Sequence, residues 1–181
     1  MENNEHFINI NDINKKPLNF KICETLFNGR NSTCKSLKVL DNQYLIIKFD
    51  GIINIFNKYP RCKNLVRVDN NIFDLFKQLL LNINNDTNSR IIYKDYLYES
   101  KADNKFVIIR LPGVKANIFT KIYDICNDGI RVNVNNVKNN FHGTFIIKIR
   151  GILYDNYNDK NEELLIADFD EIYINKYFNM E

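Results

Sequence analysis

Phe145-Ile146-Ile147-Lys148-Ile149-Arg150 is the run that decides the fold class. In a strand the side chains alternate between faces, so Lys148 and Arg150 stand with Ile146, opposite Phe145, Ile147 and Ile149. Two further runs share the design of an apolar β-type stretch with a cation set into it. In Tyr44-Leu45-Ile46-Ile47-Lys48-Phe49 the ring of Tyr44 shares a face with Ile46 and Lys48. In Phe106-Val107-Ile108-Ile109-Arg110-Leu111, Phe106, Ile108 and Arg110 fall together. A sheet built from these strands has one greasy face and one face of rings and positive charge. Single-stranded nucleic acid suits the second face, because phosphates attract cations and bases stack on flat rings. Half-buried strands of any sheet also carry polar residues on their wet side, so the pattern alone leaves both readings open.

The 181 residues fit one well-packed domain, and 45% hydrophobic with 13% aromatic content excludes a mainly disordered chain. The Asn, Ile, Lys and Tyr bias follows AT-rich codons and carries no chemistry. No apolar run is long enough to cross a bilayer, and Met1-Glu2-Asn3-Asn4-Glu5-His6 is no signal peptide, so a soluble intracellular protein is expected. For a viral chain that means the host cytoplasm or nucleus. Cys23, Cys34, Cys62 and Cys126 are scattered, without metal-ligand spacing, and read as reduced thiols.

Net charge is +3, but it is unevenly spread. Residues 1 to 154 hold 23 basic and 14 acidic side chains, net +9, against 2 and 8, net −6, in residues 155 to 181. A basic body with an acidic end suits a polyanionic partner.

Along the chain, residues 1–16 read as a loose lead-in, 17–174 as the core and 175–181 as the C-terminal end of a single domain. A first strand is expected over Leu18 to Leu26, followed by a turn at Asn28-Gly29-Arg30-Asn31. Ser36 to Leu40 and Tyr44 to Phe49 read as a hairpin. Lys58-Tyr59-Pro60-Arg61-Cys62-Lys63-Asn64-Leu65-Val66-Arg67 is the densest basic stretch, starting in a loop at Pro60. From Asn71, the spacing of Ile72, Phe73, Leu75, Phe76, Leu79, Leu80 and Ile83 predicts a helix over about 71–83, with Asp69, Asn70 or Asn71 as cap. Strands follow at Ile91 to Tyr98 and Phe106 to Leu111. Ile118 to Cys126 fits helix and strand equally. Ile130 to Val137 alternates weakly, and Phe145 to Leu153 and Leu164 to Ile174 are strong strands. Seven or eight strands, one helix and no βαβ rhythm imply antiparallel, β-dominated packing.

Catalytic signatures are sparse. His6 and His142 are the only histidines, and no nucleophile elbow, phosphate loop or dinucleotide fingerprint occurs. Asp168-Phe169-Asp170-Glu171 is the one acidic cluster; Asp168 and Asp170 could hold Mg²⁺ or pair with Lys148 and Arg150 on a neighbouring strand, and pairing is the expectation. No catalytic group, metal or cofactor is assigned.

The order of elements resembles the OB-fold single-stranded DNA-binding proteins of large DNA viruses and tailed phages. The residues that carry it are Lys35-Ser-Leu-Lys-Val-Leu40 with Tyr44-Leu-Ile-Ile-Lys48, the helix Phe73 to Leu80, and Lys105-Phe-Val-Ile-Ile-Arg-Leu-Pro112. It continues through Phe119-Thr-Lys-Ile-Tyr-Asp124, Gly143-Thr-Phe-Ile-Ile-Lys-Ile-Arg-Gly-Ile152 and Leu164 to Ile174. The resemblance implies an OB-like antiparallel barrel with added strands and one main helix, and a non-catalytic, sequence-tolerant role on single-stranded DNA in viral replication or recombination. It also implies an acidic tail that contacts replication proteins, which Lys176-Tyr177-Phe178-Asn179-Met180-Glu181 does not match.

On this reading Lys48, Arg110, Lys148 and Arg150 neutralise phosphates, and Arg61, Lys63, Arg67, Lys115 and Lys121 extend the track through loops. Tyr44, Tyr59, Phe106 and Tyr123 are the stacking candidates. An unpaired barrel edge could assemble further copies of the chain. The rivals are a metal-dependent nuclease acting through Asp168 and Asp170, and a β-sandwich interaction or virion protein.

Overall fold

The computed structural model describes residues 5–156 and 161–179. Five strands pair in a closed ring: β4 (Tyr44–Ile53), β12 (Phe141–Asp155), β13 (Glu162–Tyr177), β7 (Lys105–Arg110) and β5 (Lys63–Val68), which returns to β4. Four of these junctions are antiparallel, and β13–β7 is parallel. A five-stranded closure of this kind is the OB-like barrel, and it removes most of the exposed sheet edge.

β12, β7 and β5 alternate between a buried face and a more open one, and the ring closes over the buried face. Along β12 the inward set Phe141, Phe145, Ile147 and Ile149 is buried, while Thr144, Ile146, Lys148 and Arg150 face outward. Phe145 packs at 5.7 Å between ring centroids on both Phe49 and Phe169. Each such aromatic pair adds about 0.5–1.5 kcal/mol beyond its buried area.

Helix α1 (Asn70–Thr87) covers the barrel. Asp69 caps it, its carboxylate accepting from the Ile72 amide at 2.8 Å, and Asn88 ends it in a left-handed conformation. The expected helix is therefore one residue longer at its start and four at its end. Phe76 reaches down from α1 to meet Phe49 edge-on at 5.0 Å.

The added strands sit outside the ring. β2 (Lys21–Asn28) and β3 (Ser32–Lys38) form a hairpin around the expected turn at Asn28-Gly29-Arg30-Asn31, and β3 then docks on β12. The expected hairpin from Ser36 to Phe49 shrinks to a single bridge, Val39 to Gln43, because β3 spends its ladder bonds on β2 and β12. The lead-in expected to be loose carries β1 (Glu5–Asn9), parallel to β4, with Ile10 and Ile13 in the core. Packing is thus mixed rather than wholly antiparallel, since β10 (Lys121–Asp124) also runs parallel to β13.

The remaining strands are short. β6 (Leu97–Glu99) lines β7, and β8 (Gly113–Val114) pairs with β9 (Asn117–Ile118). β11 (Ile130–Arg131) pairs with β10. The ambiguous stretch from Ile118 to Cys126 is therefore strand followed by a 3₁₀ turn, Ile125–Asn127. Strand β13 runs three residues past the expected Ile174, into the C-terminal end.

Candidate nucleic-acid interface

The site grows from one register point. Asp168 of β13 is the residue paired with Arg110 of β7, and Lys148 of β12 is its partner on the other side. Asp168 faces outward from the barrel, yet it is only 3% exposed. Arg110 Nε donates to Asp168 Oδ1 at 2.9 Å, and Arg150 Nη1 lies 3.6 Å from Oδ2. Arg150 reaches Asp168 because β12 slips register against β13 between Ile149 and Gly151, a bulge that re-aims its side chain. Gly151 is required there: a Cβ would run into the Lys35 carbonyl oxygen on β3.

Arg110, Arg150 and Asp168 form part of the wall of a cleft of about 590 Å³. Arg61 enters from the loop before β5, whose backbone is clamped to the end of β7 by Arg61 N–H to Leu111 O at 2.7 Å and Leu111 N–H to Cys62 O at 3.0 Å. Three guanidiniums against one carboxylate leave the cleft positive. Its other wall is apolar and wet. Phe27 at the end of β2 is 50% exposed and Phe119 beyond β9 is 60% exposed, and Val114 of the β8–β9 hairpin lines the cleft with them. Burial raises the pKa of the Cys34 thiol in the cleft floor, which keeps it protonated.

Arg61 and Arg110 also line an adjoining cleft of about 220 Å³ that holds Lys63, whose ammonium sits 3.9 Å from Asp95. On the far side, Tyr59, 74% exposed, and Lys115 line a third cleft of about 620 Å³. The wall between this cleft and the arginine cleft is the contact of Pro60 with Gly113, where any Cβ would meet Pro60 and the Asn117 carbonyl. Arg61 and Lys115 have φ of +66° and +55°, and they are the two left-handed residues, among those described, that are not Gly, Asn or Asp. That conformation costs an ordinary residue about 1–2 kcal/mol, and such strain gathers at functional sites.

The other sequence candidates lie elsewhere. Lys148 turns to β1, its ammonium 2.7 Å from Glu5. Tyr44 is engaged by Lys38 and Lys148, whose nitrogens stand 3.3 and 4.7 Å from its ring centre. Lys48 is exposed beside β1, opposite Asn9. Arg67 lines a polar cleft with Asp50, Asp103 and His142, about 13 Å along β5 from Lys63. Phe106, at the Arg67 end of β7, packs against Tyr98 at 5.8 Å. Lys121 faces Glu171 at 3.8 Å, and Tyr123 stacks on Tyr173 at 5.1 Å. The hydrogen bond to Glu171 pushes the Tyr173 pKa up to about 12.

Of the expected pairings of the acidic cluster, Asp168 with Arg150 is realised; Arg110 joins them, and Lys148 takes Glu5 instead. Asp170 falls in a register slip of β13 and does not share Asp168's cleft. Burial, with Glu5 and Glu171 nearby, raises its pKa. The residues sequence reasoning did not assign to the site are Phe27, Phe119 and Asp168 itself. Phe27 precedes Asn28-Gly29 and Phe119 follows a two-residue strand, places where alternation no longer predicts which face a ring takes.

No protein-family model matches the sequence, and no curated protein matches it. Among solved structures, the chain is similar to a C-terminally truncated single-stranded DNA-binding protein from bacteriophage Enc34, with TM-score 0.50 and 7% identity over 89% of this chain and 98% of that one. The same phage protein in complex with ssDNA aligns with TM-score 0.51 and 6% identity over 88% and 97%. The chain shares the fold of a phage single-stranded DNA-binding protein. Among the described residues, no helix is long and apolar enough to cross a membrane.

Proposed function

We propose that this protein binds single-stranded DNA in the arginine cleft, without catalysis and with broad tolerance of sequence, and serves the replication or recombination of viral DNA. The observation that carries the reading is the convergence of Arg61, Arg110 and Arg150 with the exposed rings of Phe27 and Phe119 in one open groove. Guanidiniums hold phosphates and rings hold bases, so one groove supplies both halves of single-strand recognition. The likeness of fold to a phage protein solved with ssDNA supports the same reading. Lys63 at one end, and Tyr59 with Lys115 at the other, extend the track. Replication proteins and further copies of the chain are the partners such a role brings.

Fluorescence anisotropy with labelled single- and double-stranded oligonucleotides over a salt series tests this. Binding should favour single strands and weaken with salt, log K falling by about 0.7 per phosphate neutralised for each unit of log salt. Equal affinity for duplex, or binding indifferent to salt, would remove the reading. Cleavage of the oligonucleotide that needs Mg²⁺ and is lost on substituting Asp168 and Asp170 would favour a nuclease instead.

A further inference from the structure

Asp168 is the one acid lining a cleft built of arginines, and half of its carboxylate is left over. Oδ1 accepts from Arg110, whereas Oδ2 is buried with no hydrogen-bond donor among the described residues. The cation facing it, Arg150 Nη1, is 3.6 Å away, beyond hydrogen-bond reach. A buried acceptor without a donor is costly, and a ligand that brings the donor recovers that cost.

A phosphodiester cannot bring one, because it carries no proton at neutral pH and its charge repels the carboxylate. In a DNA strand the donors are on the bases, and a carboxylate accepting from cytosine N4 is an established pairing type. Thymine sets an acceptor, O4, at the same ring position. Arg150 is the cover over Oδ2: its side chain is 44% exposed and stands on a bulge, held by a long ion contact rather than a hydrogen bond. A phosphate that draws this guanidinium outward uncovers Oδ2, while the shorter contact at 2.9 Å keeps Arg110 in place.

We propose that Asp168 is a base-reading residue, its Oδ2 taking the exocyclic amine of a base, cytosine in preference to thymine, when Arg150 turns to phosphate. The proposal rests on the single-strand reading of the cleft and adds a preference to it. Replacing the carboxylate by an amide tests it, because Asp168→Asn keeps an oxygen for Arg110 and presents N–H where Oδ2 stood.

Affinities of oligo(dC) and oligo(dT) are measured for the wild type and Asp168→Asn by anisotropy at neutral pH, with thermal unfolding to check the fold. The ratio of dC to dT affinity should fall about tenfold on substitution, the size of one hydrogen bond to a charged group. If the substitution changes both affinities by the same factor, Asp168 only holds the arginines and the proposal is overturned. If the variant does not fold, wild-type protein is tested with oligo(dC) against the same oligomer of N4,N4-dimethylcytosine, which has no amine N–H. About tenfold weaker binding of the dimethyl oligomer supports base reading, and equal binding overturns it. If wild-type protein binds neither dC nor dT in a salt-sensitive way, the single-strand reading itself fails.

Discussion

Arg110 and Asp168 meet at the single register point that joins β7 to β13, and their side chains close the same junction at 2.9 Å. One ion pair therefore fastens the parallel seam of the barrel and holds a guanidinium at the mouth of the cleft. Arg150, 3.6 Å from the other carboxylate oxygen, shares the acid without sharing the seam.

That asymmetry separates stability from binding. Arg110→Gln should lower unfolding free energy by about 1–3 kcal/mol, since it leaves Asp168 buried without its hydrogen-bonded cation. Arg150→Gln should change stability by less than about 0.5 kcal/mol, since its half-exposed guanidinium makes only a long contact to Asp168 and no hydrogen bond. Both should weaken oligonucleotide binding and reduce its salt slope. Urea titrations beside anisotropy separate the two effects, and equal destabilisation by both variants would contradict the assignment.

Phe27→Ala and Phe119→Ala should each cost about 1–3 kcal/mol of single-strand affinity, the worth of a stacked base, with little loss of stability because both rings are largely in solvent. Phe106→Ala serves as the contrast. Its ring packs on Tyr98 at the other end of β7, so affinity should stay within twofold of wild type, a change of about 0.4 kcal/mol.

Arg61 combines strain with charge. Arg61→Gly should relieve the left-handed backbone and raise stability by up to about 1 kcal/mol while weakening DNA binding. Arg61→Lys keeps the charge and the strain, and should retain more affinity than the glycine variant. A glycine variant that loses stability would show that the side chain, not the backbone, holds this loop.

Much of this was legible in the sequence, and the limits have physical causes. Alternation in Phe145 to Arg150 and helical spacing from Ile72 to Ile83 identify barrel strand and helix, because one buried face imposes a period. Alternation fixes which face Arg110 and Arg150 take, but not which strands become neighbours. The convergence of both on Asp168 depends on a parallel pairing of β7 with β13 and a bulge in β12. For the same reason Lys148 and Tyr44, which share the sequence pattern, meet Glu5 and Lys38 instead. β1 is not legible because its residues, Glu5 to Asn9, carry little apolar signal and gain their order from the edge of β4.

Asp170 gives the fold a pH signature. Its pKa is raised by burial and by Glu5 and Glu171, so the folded state holds the proton more tightly than the unfolded chain. Its contribution is present at acid pH and is lost as pH rises from about 4 through the raised value. Asp170→Asn should therefore be more stable than wild type at neutral pH, with the advantage shrinking as pH falls toward 4. Urea midpoints over that range check the sign.

The path of the strand is the central claim, and photocrosslinking reads it most directly. Irradiation of the protein with single-stranded oligonucleotide, followed by mass spectrometry of the crosslinked peptides, should place adducts on Phe27 and Phe119, with Tyr59 at the edge. Adducts confined to Tyr44, Phe106 or Tyr123, away from the arginine cleft, would contradict it.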